Sequence, residues 1–147
     1  LKCNYLEDSK EHISKIDDRV ITINGQCSLS ITRNIIFNEW RDIWYPNGIK
    51  IVPKELVETY LSPLAIAIWF MDDGSKNNYS YYLHTEGFSI EDVNFLRDLL
   101  NSKYNIQTSL HSMRGKPTIY ISGHSRNTFT NLILPYICDS MRYKLWI

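Results

Sequence analysis

An apolar segment that ends in two carboxylates and a glycine constrains this chain more than any other feature. Residues 64–71 are apolar and include two alanines, and Asp72, Asp73 and Gly74 follow at once. The small alanines allow this predicted helix to approach another backbone closely. Carboxylates at a helix C-terminus interact unfavourably with the helix macrodipole, at a cost of about 0.3–1 kcal/mol each. The pair is therefore either solvated or kept to hold a cation. Gly74 suits a chain that leaves the helix with a positive φ.

The composition describes a globular chain without an overall charge bias. Its 147 residues are 44% hydrophobic and 22% charged, which is enough for the core of about one domain. Sixteen basic and sixteen acidic residues cancel, and this balance is unusual for a nucleic-acid-binding protein. Residues 74–147 nevertheless hold eight basic and five acidic side chains. We therefore expect any surface for a polyanion to lie in this half.

Three features of the sequence indicate the cellular compartment of the chain: its cysteine content, its apolar runs and its residue usage. The three cysteines have neither an even count nor metal-ligand spacing, so we expect a reducing compartment. No apolar run reaches the roughly 18–20 residues of a membrane span, so we expect no membrane partner. Abundant Ile, Asn, Lys and Tyr are typical of AT-rich coding genomes. This usage predicts a mitochondrial origin, or an origin in another organelle.

Periodicity and turn residues predict an α+β fold. Residues 9–16 and 19–30 are predicted to form a hairpin with Asp17-Asp18 at its turn, and a helix is predicted over 31–45. The later elements are a helix from Pro53 to Tyr60, a helix that begins at Pro63, a polar loop over 75–78, strands over 79–85, 106–112 and 118–122, a helix capped by Ser89, and a helix capped by Ser125. Residues 64–134 thus read α-β-(β)-α-β-β-α, with one strand near Phe88. Because the region before residue 45 reads β-β-α, we interpret the chain as a repeat whose first copy is incomplete.

Residues 66–74 resemble the motif of the LAGLIDADG homing endonucleases, and the likeness extends along the chain. The segments that carry it are Lys50-Ile51-Val52-Pro53, Tyr60-Leu61-Ser62-Pro63-Leu64, Trp69-Phe70-Met71-Asp72-Asp73-Gly74, His84-Thr85-Glu86-Gly87-Phe88-Ser89, Pro135-Tyr136-Ile137 and Met141-Arg142-Tyr143-Lys144-Leu145. Their order is similar to the C-terminal half of two-repeat members encoded by yeast mitochondrial introns. The chain departs from the consensus at Ile68, Met71 and Asp72.

The resemblance implies a domain organisation. Residues 63–147 are expected to form a second, nearly complete αββαββα repeat with an antiparallel sheet. Residues 1–62 are expected to hold the ββα end of a truncated first repeat and a linker.

The resemblance also implies a catalytic site. In this family two motif helices pack side by side, each delivers one aspartate to the scissile phosphates, and Asp73 matches that position. Asp73 is therefore expected to bind Mg²⁺ or another divalent cation such as Mn²⁺, since such ions prefer oxygen ligands. The lysines that the family places near its two sites match Lys50 and Lys144. The expected helix interface comprises Ala65, Ala67 and Ile68.

By the same resemblance, the strands are expected to lie along the major groove of DNA, where base edges carry a distinguishable code. The expected nucleic-acid contacts come from the first strand, the loop before it and the later hairpin: Lys76, Tyr79, Tyr81, His84, His111, Arg114, Lys116 and Tyr120. The hairpin tip, Arg114 to Lys116, is expected to contact phosphate rather than bases. Tyr82 or Leu83 is expected to fill the core.

Three functions stay open from the sequence. The first is a site-specific, metal-dependent endonuclease of double-stranded DNA, in which this chain acts beside an N-terminal LAGLIDADG half or another chain. The second is a non-catalytic protein that binds structured RNA, as an intron maturase, a splicing factor or an organellar ribosome component. Zero net charge and the missing repeat favour this second reading. The third is a structural half-domain whose motif helix packs against a partner chain.

Overall fold

The structure is a computed structural model that describes residues 19–23, 26–30 and 35–147. The chain forms two compact units, residues 1–41 and residues 42–147. In the first unit, strands β1 (Arg19–Ile23) and β2 (Gln26–Ser30) pair antiparallel. Helix α1 (Ile35–Trp44) begins in this unit and ends in the second.

The single predicted strand over 19–30 was wrong, because this stretch contains both strands of a hairpin. Ile23 lies opposite Gln26, and the two residues between them in the sequence are Asn-Gly. This dipeptide is the strongest short signal for a two-residue hairpin turn. The predicted strand over 9–16 and the predicted turn at Asp17-Asp18 lie outside the described residues.

The second unit has the predicted order of helices and strands. Its elements are α2 (Lys54–Tyr60), α3 (Pro63–Asp73), β3 (Gly74–Lys76), β4 (Tyr81–Leu83), α4 (Ile90–Tyr104), β5 (Thr108–Met113), β6 (Lys116–Ile121) and α5 (Arg126–Ile133), with 3₁₀ helices at Pro46–Gly48, Gly123–Ser125, Leu134–Tyr136 and Asp139–Lys144. The order from α3 to α5 is α-β-β-α-β-β-α, so the αββαββα fold is confirmed. The strand expected near Phe88 is instead β3, in a stretch predicted to be a polar loop.

The four strands β3 to β6 form one antiparallel sheet in the order β3-β4-β6-β5. Tyr81 lies opposite Ile121 and Leu83 opposite Ile119, and all four side chains are fully buried. Because side chains alternate along a strand, their neighbours point to the other side of the sheet. We call that other side the outer face.

Helices α3 and α5 cover the inner face with an aromatic core. The rings of Phe70, Tyr81 and Phe129 have centroids 5.2 to 5.4 Å apart, and Phe70 meets the other two edge-on. This geometry is favoured by the ring quadrupoles. The Tyr81 hydroxyl and the Thr130 Oγ1 are hydrogen-bonded at 2.7 Å, which satisfies the polar end of a buried ring.

Local residues fix both ends of α3. The Ser62 hydroxyl accepts a hydrogen bond from the backbone N–H of Ala65, and Pro63 occupies the first turn. At the other end Gly74 has φ −93°, so the expected positive φ was wrong. Glycine is needed there for another reason, because a Cβ would overlap both the ring and the carbonyl oxygen of Phe70.

One of the two later caps follows the prediction. Ser89 caps α4 by accepting a hydrogen bond from the Asp92 N–H, as predicted. Ser125 forms no cap on α5; its hydroxyl instead accepts from the Gln107 N–H at 2.9 Å, which ties α5 to the start of β5. In the described part of the chain, no helix combines the length and the apolar character needed to cross a bilayer.

Candidate active site

The C-terminus of α3 presents two adjacent carboxylates. Asp72 and Asp73 are both exposed, and the Asp73 carbonyl oxygen accepts a hydrogen bond from the His84 N–H at 3.0 Å. The backbone that carries Asp73 is therefore held by the helix on one side and by the β3–β4 pairing on the other. The helix dipole disfavours two negative charges at this end of a helix, so a cation placed nearby stabilises them.

Lys144 brings a positive charge to the same helix end. Its ammonium donates hydrogen bonds to the carbonyl oxygens of Met71 and Asp72, which are among the last carbonyls of α3 and lack helical partners. Burial lowers the pKa of Lys144, while the negative charges of Asp72 and Asp73 act in the opposite direction. The structure thus brings together Lys144 and Asp73, two of the three predicted catalytic residues.

Lys144 is held there by the residues that follow it. We call residues 138–147 the C-terminal segment. Leu145 in this segment is only 3% exposed. The Trp146 backbone N–H donates to the Tyr81 hydroxyl at 3.0 Å, and the Trp146 indole N–H donates to the Ser80 carbonyl at 3.3 Å. These contacts lock the chain immediately after Lys144.

The C-terminal segment also contacts Lys76, a residue that the sequence predicted to contact nucleic acid. The Lys76 ammonium donates to the Leu145 carbonyl at 3.4 Å and lies 5.3 Å from the centroid of the Trp146 ring. No local pattern in the sequence predicts this contact, because it joins residues about 70 positions apart. Lys76 therefore serves the attachment of the C-terminal segment.

Lys50, the third predicted catalytic residue, lies elsewhere. Its ammonium is 4.2 Å from the centroid of the Phe88 ring. Within the described residues it forms neither a salt bridge nor a hydrogen bond with Asp73 or Lys144. The structure does not bring Lys50 into the group at the end of α3.

The surface of α3 differs from the predicted helix interface. Leu64 and Ile68 are 48% and 41% exposed, and with Asp72 they form a stripe with a spacing of four residues along the helix. Ala65 is half-buried. Ala67 is fully buried, so its side chain is not available to a second helix from outside the chain, contrary to the prediction.

Three aromatic side chains on the outer face form one connected group, which we call the aromatic cluster: Tyr82, His111 and Tyr120. The Tyr82 hydroxyl is hydrogen-bonded to His111 Nδ1 at 3.1 Å. The His111 and Tyr120 rings stack with centroids 4.6 Å apart, and Tyr82 lies 5.2 Å from Tyr120.

The buried side of β4 differs from the prediction at one residue. Tyr81 was expected to contact nucleic acid, but it is fully buried in the core. Of Tyr82 and Leu83, either of which was expected to fill the core, Leu83 does so and Tyr82 joins the outer face. A shift of one residue in strand phase moves every side chain to the other side of the sheet. Leu83 lies two residues after Tyr81, and both are buried, so they lie on the same side of β4. The apolar Leu83 is therefore the sequence signal for which side of β4 faces the core.

A second polar group on this side of the chain links Ser75, His84 and Glu86. His84 Nε2 lies 2.9 Å from the Ser75 hydroxyl, and His84 Nδ1 lies 2.9 Å from Glu86 Oε1. Burial raises the pKa of Glu86, but hydrogen bonds from His84 and from the backbone outweigh it, so this pKa lies below its ordinary value. The buried Thr118 hydroxyl also lowers the pKa of Glu86. Its oxygen forms no hydrogen bond of ordinary geometry with any described residue. The sequence predicted His84 but missed its two partners.

The hairpin tip between β5 and β6 carries exposed positive charge. Arg114 has φ 54° and Gly115 has φ 75°, which makes a tight turn. Arg114 and Lys116 are exposed. Tyr79, in the loop before β4, is 73% exposed. These three predicted contact residues are accessible.

The donor set for a metal ion is small. Among the described residues, no group of three or more His, Cys, Asp or Glu side chains is placed to hold one. Asp72 and Asp73 offer carboxylate oxygens, and Mg²⁺ is often bound through one or two carboxylates together with waters and phosphate oxygens. One carboxylate, that of Asp73, is enough for this chemistry when the remaining ligands come from outside the chain.

Comparison with known proteins identifies the family. Residues 2–129 match the LAGLIDADG DNA endonuclease family. The chain is 42% identical over 147 residues to the probable intron-encoded endonuclease 1 of Wickerhamomyces canadensis, covering 95% of this chain and 61% of that protein. It is 40% identical over 117 residues to the cytochrome b mRNA maturase bI2 of Saccharomyces cerevisiae, covering 76% and 27%.

A solved structure supports the same assignment. The homing endonuclease I-WcaI bound to its DNA recognition sequence matches with a TM-score of 0.78 and 30% identity, covering 98% of this chain and 71% of that chain. The fold is therefore that of a homing endonuclease. The chain belongs to the LAGLIDADG DNA endonuclease family. It spans 27%, 42% and 61% of the length of three curated relatives that it matches.

Proposed function

We propose that this chain is part of a site-specific, intron-homing endonuclease that hydrolyses phosphodiester bonds of double-stranded DNA. The observation that carries the proposal is that the Lys144 ammonium binds the last carbonyls of α3 at the same helix end where the carboxylate of Asp73 is exposed. The W. canadensis relative and the I-WcaI structure, whose names describe an endonuclease and a DNA complex, support it.

Each residue at the end of α3 has a distinct role in this proposal. Asp73 holds a divalent ion, and the His84 N–H on its carbonyl keeps its backbone in place. A bound divalent ion neutralises phosphate charge and acidifies water. Lys144 balances charge on the phosphate, and because burial lowers its pKa a larger fraction of it is neutral, the form that can take a proton from water, than for a free lysine. Lys50 belongs, by the resemblance, to the site of the first repeat.

In this proposal a partner helix binds at the exposed stripe that contains Leu64 and Ile68. A second motif helix packed there would remove the apolar side chains from water and bring a second aspartate beside Asp73. The partner is an N-terminal LAGLIDADG half or another chain. In this organisation residues 63–147 form one repeat, and residues 1–62 form the remainder of another with its linker.

A maturase is the second candidate function. Two of the relatives, from S. cerevisiae and Debaryomyces hansenii, are cytochrome b mRNA maturases, and the zero net charge limits the number of phosphates that the chain can neutralise. In this case the protein binds structured RNA and the carboxylates of α3 are dispensable. An organellar location, expected from the sequence, fits either function.

Substitution of the two neighbouring aspartates tests the proposal. The full-length protein is incubated with Mg²⁺ and a duplex library of intronless and intron-containing gene junctions. We expect Asp73→Asn to lower the cleavage rate by at least about a hundredfold while duplex binding is retained, because the metal ligand is lost. Asp72→Asn is the matched control and should cleave at nearly the rate of the unmodified protein.

Two results would count against the endonuclease. One is cleavage by the Asp73→Asn protein at the unmodified rate. The other is tight binding to intron RNA without cleavage of any duplex, which would favour the maturase.

A further inference from the structure

His111 is held by two neighbours on the outer face. It lies on β5 opposite Thr118 of β6, and its side chain is exposed. The Tyr82 hydroxyl reaches its Nδ1 at 3.1 Å, and its ring stacks on Tyr120 with an interplanar angle of 16°. The imidazole is therefore fixed both in position and in rotation about its own axis.

The Tyr82 contact also favours one tautomer of His111. In a neutral imidazole, one ring nitrogen donates a hydrogen bond and the other accepts. A phenol is a better donor than acceptor, so the contact favours the tautomer in which Nδ1 accepts from Tyr82 and Nε2 carries the proton. His111 then presents a single N–H donor on the side of the ring away from Tyr82.

We propose that His111 is a specificity-determining residue that donates from Nε2 to a guanine in the major groove, and that Tyr82 is the positioning residue that fixes its tautomer. This inference rests on the proposed function and on the expectation, from the family resemblance, that the strands lie along the major groove of DNA. Guanine shows two adjacent acceptors, O6 and N7, in this groove. Adenine places an N6 amino donor beside its N7, and this donor disfavours a second donor.

The location of His111 distinguishes a base contact from a phosphate contact. His111 lies inside β5, whereas the charged side chains that suit phosphate, Arg114 and Lys116, lie at the hairpin tip. A neutral donor gains less from phosphate than a cation does. Because its neighbours already immobilise the ring, binding costs little side-chain entropy.

Two tyrosine variants that each lose one hydroxyl provide the test. Preferred duplexes are selected from a random double-stranded DNA library at about pH 8 with full-length protein. We expect the unmodified protein to select guanine at one position, and Tyr82→Phe to reduce that preference by about five- to tenfold, the value of one hydrogen bond. The Tyr82 ring and its packing are retained in this variant. Tyr60→Phe is the matched control, and the preference for guanine should be unchanged, because Tyr60 is exposed on α2, outside the sheet.

His111→Gln provides an independent test, in which the protein is expected to gain a preference for a different base. Glutamine offers a donor and an acceptor side by side, and this pair matches the edge of adenine. We expect the selected base to change from guanine to adenine at the position that Tyr82→Phe relaxes.

The outcomes separate this inference from the proposed function. If the unmodified protein selects a duplex but Tyr82→Phe and His111→Gln select the same bases at every position, the inference is wrong and the proposed function stands. Uniform weakening for all sequences would mean a phosphate contact and would also overturn it. Failure of the unmodified protein to select any duplex would overturn both.

Discussion

Gly74 shows how a single residue joins the fold to the site. It follows Asp73 directly, and a Cβ at this position would overlap the Phe70 ring and carbonyl. We expect Gly74→Ala to lower the free energy of unfolding by about 2–3 kcal/mol, because overpacking forces the end of α3 to move. Gly123→Ala is the matched control, since nothing lies within 4 Å of a Cβ there. Urea unfolding of both variants checks this, and equal midpoints would contradict it.

Glu86 gives a second residue-level prediction, in the pH dependence of stability. Burial raises the pKa of Glu86, but hydrogen bonds from His84 and the backbone outweigh it, so its folded pKa lies below the ordinary value of 4.5. Its charged form therefore stabilises the fold above about pH 4.5, and this contribution disappears as the pH falls through the lower, folded pKa. We expect Glu86→Gln to be less stable than the unmodified protein at about pH 7, with the difference closing at about pH 3.

The His84 hydrogen bond provides the control for that measurement. In a His84→Gln background the side-chain donor to Glu86 is lost, so the pH-dependent difference should become smaller. A stability difference that is the same at both pH values would show that the Glu86 charge contributes nothing.

At the scale of helices and strands, the sequence predicted what local chemistry decides. Ser62, Pro63 and Ser89 mark helix starts, because their side chains or rings act within one turn. The order of elements from α3 to α5 followed from periodicity. The phase of β4 could not be predicted in this way, since pairing with β6, about 40 residues further along the chain, decides which of Tyr81 and Tyr82 is buried.

The candidate site was predictable only in part, and for a different reason. Asp73 and Lys144 were identified through resemblance to a family motif. The hydrogen bonds of Lys76 and Trp146 were not, because they depend on the docking of a distant segment. The partners of His84 and His111 were likewise missed, since they come from other strands or from beyond a turn.

The C-terminal segment yields a prediction at this scale. Trp146→Phe keeps an aromatic ring but removes the hydrogen bond to the Ser80 carbonyl, so the segment that carries Lys144 loosens. If the chain is part of an endonuclease, we expect the cleavage rate to fall about tenfold with little change in duplex affinity, as for a misplaced catalytic group. Tyr143→Phe is the control, since Tyr143 is exposed. A change in affinity alone would indicate that Trp146 contacts DNA.

At the scale of the whole molecule, the described positive charges fall into two groups. Some contact other parts of the chain, and others are exposed and available to a ligand. Lys144 binds the end of α3, Lys76 binds the C-terminal segment and Lys50 lies over Phe88. Lys103 donates to the Glu58 carbonyl, which ties α4 to α2. These four lysines of the described residues contact other parts of the chain, and the net charge of the whole sequence is zero, so we look for phosphate contacts among the exposed cations. The exposed Arg114 and Lys116 are the clearest of these.

This division predicts the salt dependence of duplex binding. Each phosphate contact contributes about 0.9 to the slope of log affinity against log salt concentration. The double variant Arg114→Ala, Lys116→Ala should therefore reduce the slope by about 2 and weaken binding almost equally for all sequences. Arg142→Gln is the matched control, because Asp139 pairs with Arg142 at 3.0 Å and already offsets its charge. Affinities measured between about 50 and 200 mM salt test this. An unchanged slope in the double variant would mean that the hairpin tip lies away from the DNA, and that the few phosphate contacts of this neutral chain come from elsewhere.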